Sequence, residues 1–256
     1  MRKVLVLLLA LLVGSCGSNN YGGFATPADP TWADDTAREI MKSTVKIQVL
    51  ALGESFDGEV ALIGWSGSGA VVAVNYANEE SLILTAKHVC EVPTYIPTRT
   101  RGVLKTLIHH TAIQTATGSV YNAEALVMDQ MSDTCVILVY GVAGKPARIA
   151  NEMPPLQGHV MMPGAPLGEM MPNMVPITDG RYSGVVPYVT DMGDVRQMAF
   201  ALPGTFGNSG SGIYYNGEIV SVLSQGVPDY HHLTYGPHLS RIRFTVKEAI
   251  KDWHNL

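Results

Sequence analysis

Gly207-Asn208-Ser209-Gly210-Ser211-Gly212 is the stretch around which the rest of this sequence organises itself. Small residues on both sides of a serine let the backbone turn tightly and leave the hydroxyl exposed. They also let two N–H groups converge on one spot, as an oxyanion needs when a hydroxyl attacks a carbonyl. A plain Gly/Ser hairpin turn would have the same composition, so the hexapeptide acquires meaning only with partners. A serine hydroxyl is a weak nucleophile and requires a base, and the base requires an anion to hold its tautomer.

Two segments upstream supply those groups. Leu82-Ile83-Leu84-Thr85-Ala86-Lys87-His88 is an apolar strand that ends on a histidine. Asp133-Thr134-Cys135-Val136-Ile137-Leu138 puts a carboxylate at the head of a second apolar strand. Asp129 lies close by, but no apolar run follows it directly, and it reads as a solvated turn residue. Read alone, His88 is a strand-end histidine satisfied by a neighbour.

The rest of the chain reads as short strands separated by turns. Thr44 to Leu50 alternates apolar and polar residues, as a half-buried strand does. Further strands are expected at Ala70–Val74, Val103–Ile108, Thr111–Thr115, Ala123–Met128, Val160–Met162, Tyr182–Val189, Gln197–Leu202, Gly212–Tyr215 and Glu218–Leu223. Within residues 91–122, Pro93, Pro97 and Gly102 argue for a long loop, with strands resuming near Val103. Asp34–Met41 reads as a short helix. Thr245-Val246-Lys247-Glu248 has a capping-box pattern that predicts the start of a terminal helix, with Val246, Ala249, Ile250 and Trp253 on one face. Such a succession, with 26 glycines and 15 prolines, favours an all-β architecture of barrels or sandwiches. His109-His110 and His231-His232 are expected in surface loops, and the methionines between 153 and 174 as loop packing rather than a metal site.

Thr85-Ala86-Lys87-His88, Asp133 to Leu138 and Gly207-Asn208-Ser209-Gly210 together resemble the three signatures of trypsin-like serine proteases, in the family's order. The bacterial branch that includes Deg-type proteases and glutamyl endopeptidases is the nearest likeness. Gly67-Ser68-Gly69 is similar to its barrel-opening strand, Gly164-Ala165-Pro166-Leu167-Gly168 to its Gly-x-Pro-x-Gly turn, and Asn216 to Val220 to the hairpin after the nucleophile. The resemblance implies two packed six-stranded antiparallel β-barrels with a short C-terminal helix. It divides the chain into a first barrel over 35–148 and a second, with the helix, over 149–256.

The resemblance further implies a catalytic triad of His88, Asp133 and Ser209, with the N–H groups of Gly207 and Ser209 as the oxyanion hole. Pro203 and Thr205 would border the specificity pocket, with one of His231, His232 and His238 near it. Ser224, Gln225 and Gly226 would pair with substrate backbone. No metal or organic cofactor is expected, and the expected partners are protein or peptide substrates. Pro203 stands where trypsin carries an acidic residue, which implies uncharged substrate side chains; the alternative is an acidic preference, using Thr205 and one of the downstream histidines. Lys87 departs from the family, which has a small residue there. An intact triad argues against an inert protease-fold binding protein, and no Gly-x-Ser-x-Gly elbow points to an α/β-hydrolase esterase.

Met1-Arg2-Lys3 followed by the apolar run Val4–Val13 has the layout of a signal peptide over residues 1–15. Val13-Gly14-Ser15-Cys16 resembles a lipobox, which would make Cys16 a lipidated residue. Residues 16–34, rich in Gly, Asn and Pro, read as a flexible tether. The expectation is an exported lipoprotein of the cell envelope, with a secreted or periplasmic soluble form as the alternative. The membrane would be touched only through that anchor. In an oxidising compartment Cys90 and Cys135 can form a disulfide. Each lies two residues past a dyad member, so the contact of His88 with Asp133 brings them together. A net charge of −5 and a pI near 5.9 lack the basic stripe of a nucleic-acid binder.

Overall fold

The computed structural model describes residues 35–98, 102–190, 193–227 and 230–255. The expected signal peptide, the tether and Cys16 lie outside them. Helix α1 spans Asp35–Met41 and leads into strands β1 (Thr44–Ser55), β2 (Val60–Asn75) and β3 (Glu80–Ala86). A single-turn helix α2 (Lys87–Cys90) follows, then β4 (Tyr95–Thr98), β5 (Gly102–Thr115), β6 (Val120–Asp129) and β7 (Thr134–Tyr140). The second half comprises β8 (His159–Pro163), β9 (Ile177–Thr190), β10 (Gly193–Ala201), β11 (Gly212–Tyr215), β12 (Glu218–Val222), β13 (Gln225–Val227) and β14 (Tyr230–Pro237). Helix α3 (Leu239–Trp253) ends the fold. The architecture is all-β, antiparallel within each sheet, with the expected C-terminal helix.

The first sheet runs β1-β2-β3-β7-β6-β5, and β5 pairs back onto β1 to close a six-stranded barrel; β4 adds to the free part of β5. Period-two alternation explains the inward face of β1: Val45, Ile47, Val49 and Ala51 are fully buried. Strands β3 and β7 are apolar on both faces for a different reason. Ile83 and Ile137 join Val45 and Ile47 inside the barrel, whereas Leu82, Leu84, Val136 and Leu138 face a second core. That core holds Tyr214, Ile219 and Val222 from the second sheet and Ile242, Val246 and Ala249 from α3. Burial on both faces produces a continuous apolar run instead of an alternating one.

The second sheet has the order β12-β11-β8-β9-β10-β14-β13. It curls until the chain after β12 meets β14: Ser224 N–H donates to Tyr235 O (2.9 Å) and Ser221 Oγ to Pro237 O (2.7 Å). Met198, Phe200, Leu202 and Ile213 fill its interior.

Several local readings are corrected by these contacts. Helix α3 starts six residues before the Thr245 pattern, because His238 caps it, its ring Nδ1 accepting from Ser240 N–H at 3.2 Å. Thr245 is in mid-helix, and its hydroxyl bonds back to Arg241 O at 3.0 Å. The apolar face of the helix is as expected. Residues 95–98 form a strand because β5 offers them a partner. His109 and His110 are exposed, but on β5 rather than in a loop. His238 is buried at the cap, with no hydrogen bond to its Nε2 among the described residues.

Asp129 is the clearest of these corrections. It is buried at the end of β6 and accepts from Arg241 on α3, Nε at 2.8 Å and Nη2 at 2.6 Å, and from Ser132 Oγ. Burial alone would push its carboxyl up, but Arg241 and Ser132 outweigh this and hold it below the usual carboxylate range. A carboxyl lowered in the folded state contributes stability above its unfolded pKa, about 4. That contribution is lost as pH falls through the folded value. Arg241→Ala leaves Asp129 buried without its partner, and should destabilise the fold by about 3 kcal/mol. Urea unfolding at pH 7 measures this. A loss below about 0.5 kcal/mol, the scale of a surface pair, would contradict it.

Candidate active site

The pairing of β3 with β7 carries the dyad. Ala86 stands opposite Thr134 at the end of the ladder, so the next residues of one strand meet the residue before the other. Asp133 takes up a left-handed backbone (φ 45°) there, and its carbonyl accepts from Lys87 N–H at 3.1 Å. Its Oδ1 accepts from His88 N–H at 3.0 Å. The imidazole Nδ1 of His88 lies 2.9 Å from Oδ2 and 3.1 Å from Oδ1. Ser224 Oγ donates to Oδ2 as well. Burial would raise the Asp133 carboxyl, but its bonds to His88 and Ser224 prevail and leave it below the ordinary carboxylate range. It is therefore an anion at neutral pH, directed at Nδ1.

Cys90 closes α2 and Cys135 lies one residue into β7. The structure joins them in a disulfide with Cα atoms 6.8 Å apart.

Ser209 belongs to the loop between β10 and β11, and β2 carries it to the dyad. Ser68 N–H donates to Ser209 O (2.8 Å) and Ser68 Oγ donates to Gly207 O (2.7 Å). The Ser68 carbonyl accepts from Thr85 Oγ1 on β3 (2.7 Å). Gly67 permits the approach: a Cβ there would lie 2.6 Å from Val89, the neighbour of His88, and 3.0 Å from Ser209 O. Gly210 has φ +82°, and a Cβ on it would meet Thr85 Oγ1 at 2.0 Å. Only glycine fits that position.

The turn at 164–168 holds the other side of the loop. Leu167 N–H donates to Phe206 O at 2.6 Å, and Ala165 N–H to Ser68 Oγ at 2.9 Å. In a trans peptide the N–H points opposite to the preceding carbonyl. With Phe206 O tied to Leu167, the Gly207 N–H must face away from that turn. Asn208 N–H is engaged by Thr205 O and Gly210 N–H by Leu223 O. Among the described residues the N–H groups of Gly207 and Ser209 donate to nothing. No hydrogen bond joins Ser209 Oγ to the His88 ring among the described residues; such contacts are often long before substrate arrives.

The remaining expected residues have varied settings. Pro203 is half-buried and Thr205 exposed. Between them Gly204 packs on Thr234 and Leu223. Gln225 and Gly226 are exposed on β13. Ser224, expected to pair with substrate through its backbone, is 6% exposed, and its side chain is bonded to Asp133. His232 is exposed on β14. Ser68 had no assigned role, although a serine between two glycines inside a strand was a visible hint of close backbone approach. Leu167 acts through its N–H alone, which no side-chain pattern announces.

The fold resembles solved structures of the Rv3671c protease from M. tuberculosis. An active form matches with a TM-score of 0.62 and 14% identity, over 84% of this chain and 84% of that one. A mutant in its inactive form matches with a TM-score of 0.61 and 14% identity, over 85% and 91%. No curated protein matches the chain in sequence. The model of the trypsin-like peptidase domain matches residues 67–222, and with that match the chain belongs to the trypsin-like peptidase family.

Proposed function

We propose that the protein is a serine endopeptidase in which Ser209 attacks the peptide carbonyl. Support comes from the Asp133 carboxylate held 2.9 Å from His88 Nδ1, beside a serine turn that offers two unbonded N–H groups. His88 Nδ1–H donates to Asp133, which leaves Nε2 free to take the Ser209 proton. Negative charge then develops on the carbonyl oxygen, and the N–H groups of Gly207 and Ser209 receive it. His88 returns the proton to the leaving amine. Water, deprotonated by the same ring, attacks the acyl carbonyl, and the ring returns that proton to Ser209 Oγ as its bond to the acyl group breaks. The carboxylate stabilises the imidazolium throughout.

Pro203 brings no charge to its pocket, so uncharged side chains are preferred there. The protein acts in the cell envelope, exported by residues 1–15 and anchored through Cys16. A fluorophosphonate should label Ser209 stoichiometrically, and the same preparation should digest unfolded casein. Peptide mapping that finds the label elsewhere, or no casein digestion, would refute the reading. Labelling without proteolysis would favour an esterase.

A further inference from the structure

We infer that the cavity beside His88 and Asp133 receives an acidic side chain of the substrate, held by Arg196. The cavity measures about 260 Å³, and its walls include Lys87, Gln130, Tyr188, Arg196 and Gln225 together with the two dyad residues. Most polar groups there already have partners. Lys87 Nζ donates to Gln130 Oε1 (2.5 Å) and pairs with Glu91 (3.3 Å). Both oxygens of Asp133 are engaged by His88 and Ser224. Gln225 Nε2 donates to Tyr188 Oη at 3.2 Å.

Arg196 differs. It is exposed, it lines the cavity from β10, and among the described residues it has no carboxylate partner. The Gln130 oxygen is turned to Lys87, so the amide nitrogen is left as a donor. Glu91 also lines the cavity, but its carboxylate is paired with Lys87; the Arg196 guanidinium, with the Gln130 amide nitrogen as a further donor, matches a carboxylate in a two-point contact. Lys87, an unexplained departure from the family pattern, acts here by fixing Gln130.

The backbone gives a route for a peptide. Strand β13 is the last strand of its sheet, so one of its edges is unpaired among the described residues. A Cβ at Gly226 would meet nothing within 4 Å. An extended peptide can add to such an edge, and Gln225 on the same strand forms part of the cavity wall. A side chain of that peptide directed inward enters beside Arg196.

This inference rests on the serine peptidase reading, and the test separates the two. The full-length protein is assayed on quenched peptides that carry Glu, Gln or Lys at each of six positions around the cleaved bond. At one position Glu should exceed Gln in kcat/KM by about tenfold, the scale of a charge-assisted contact. Arg196→Glu should reverse that preference in favour of Lys at the same position. Fluorophosphonate titration counts active sites in each variant and normalises the rates. Glu/Gln ratios within twofold at every position, or a ratio that Arg196→Glu leaves unchanged, overturn the inference while cleavage upholds the peptidase. Absence of both cleavage and labelling overturns both.

Discussion

Ser209→Ala should reduce kcat for peptide hydrolysis by about a million-fold, as loss of a triad nucleophile does elsewhere, while the fold survives. The fold should survive because the contacts that hold the loop are made by backbone. Ser209 contributes its carbonyl to Ser68 N–H, and Gly207 contributes its carbonyl to Ser68 Oγ. Alanine keeps both. Ser211, two residues on, provides the internal control. It is fully buried, and its hydroxyl has no partner among the described residues. Deleting an unsatisfied buried hydroxyl costs little, so Ser211→Ala should retain activity within a few-fold. Rates with casein, circular dichroism and active-site labelling measure all three properties. Activity in pure Ser209→Ala above about one per cent of the parent would eliminate Ser209 as nucleophile.

Asp133→Asn should lower kcat roughly ten-thousand-fold, the effect of the same change in a serine protease triad elsewhere. The local hydrogen bonds dictate how an asparagine would sit. Position Oδ1 receives His88 N–H, a backbone donor that cannot turn around, so the amide oxygen must go there. The amide nitrogen then takes the place of Oδ2, 2.9 Å from His88 Nδ1. Ser224 can rotate its hydroxyl to accept from it. An N–H facing Nδ1 forces that nitrogen to accept, which moves the ring proton to Nε2. The ring can then no longer take a proton from Ser209. Steady-state kinetics measure the effect, with a melting curve to confirm folding. A variant within tenfold of the parent would mean that Asp133 does not set the tautomer of His88.

Local pattern carried the strands and the chemical groups. Alternation in Thr44–Leu50 and the unbroken apolar runs of β3 and β7 depend on side-chain periodicity along one strand, and periodicity is a property of sequence. The types and order of His88, Asp133 and Ser209 are legible for the same reason, and the family resemblance rests on them. Tertiary structure decided the rest. Ser68 reaches Gly207 across 139 positions, Ser224 reaches Asp133 across 91, and Arg241 reaches Asp129 across 112. Those contacts exist only where the first barrel, the second sheet and α3 bury their apolar faces together. A short-range reading therefore left Asp129 in solvent, began α3 at Thr245 and gave the Ser224 side chain no contact with Asp133. A single strand records which of its faces is buried; which distant residue then offers a hydrogen bond is determined by how the elements pack.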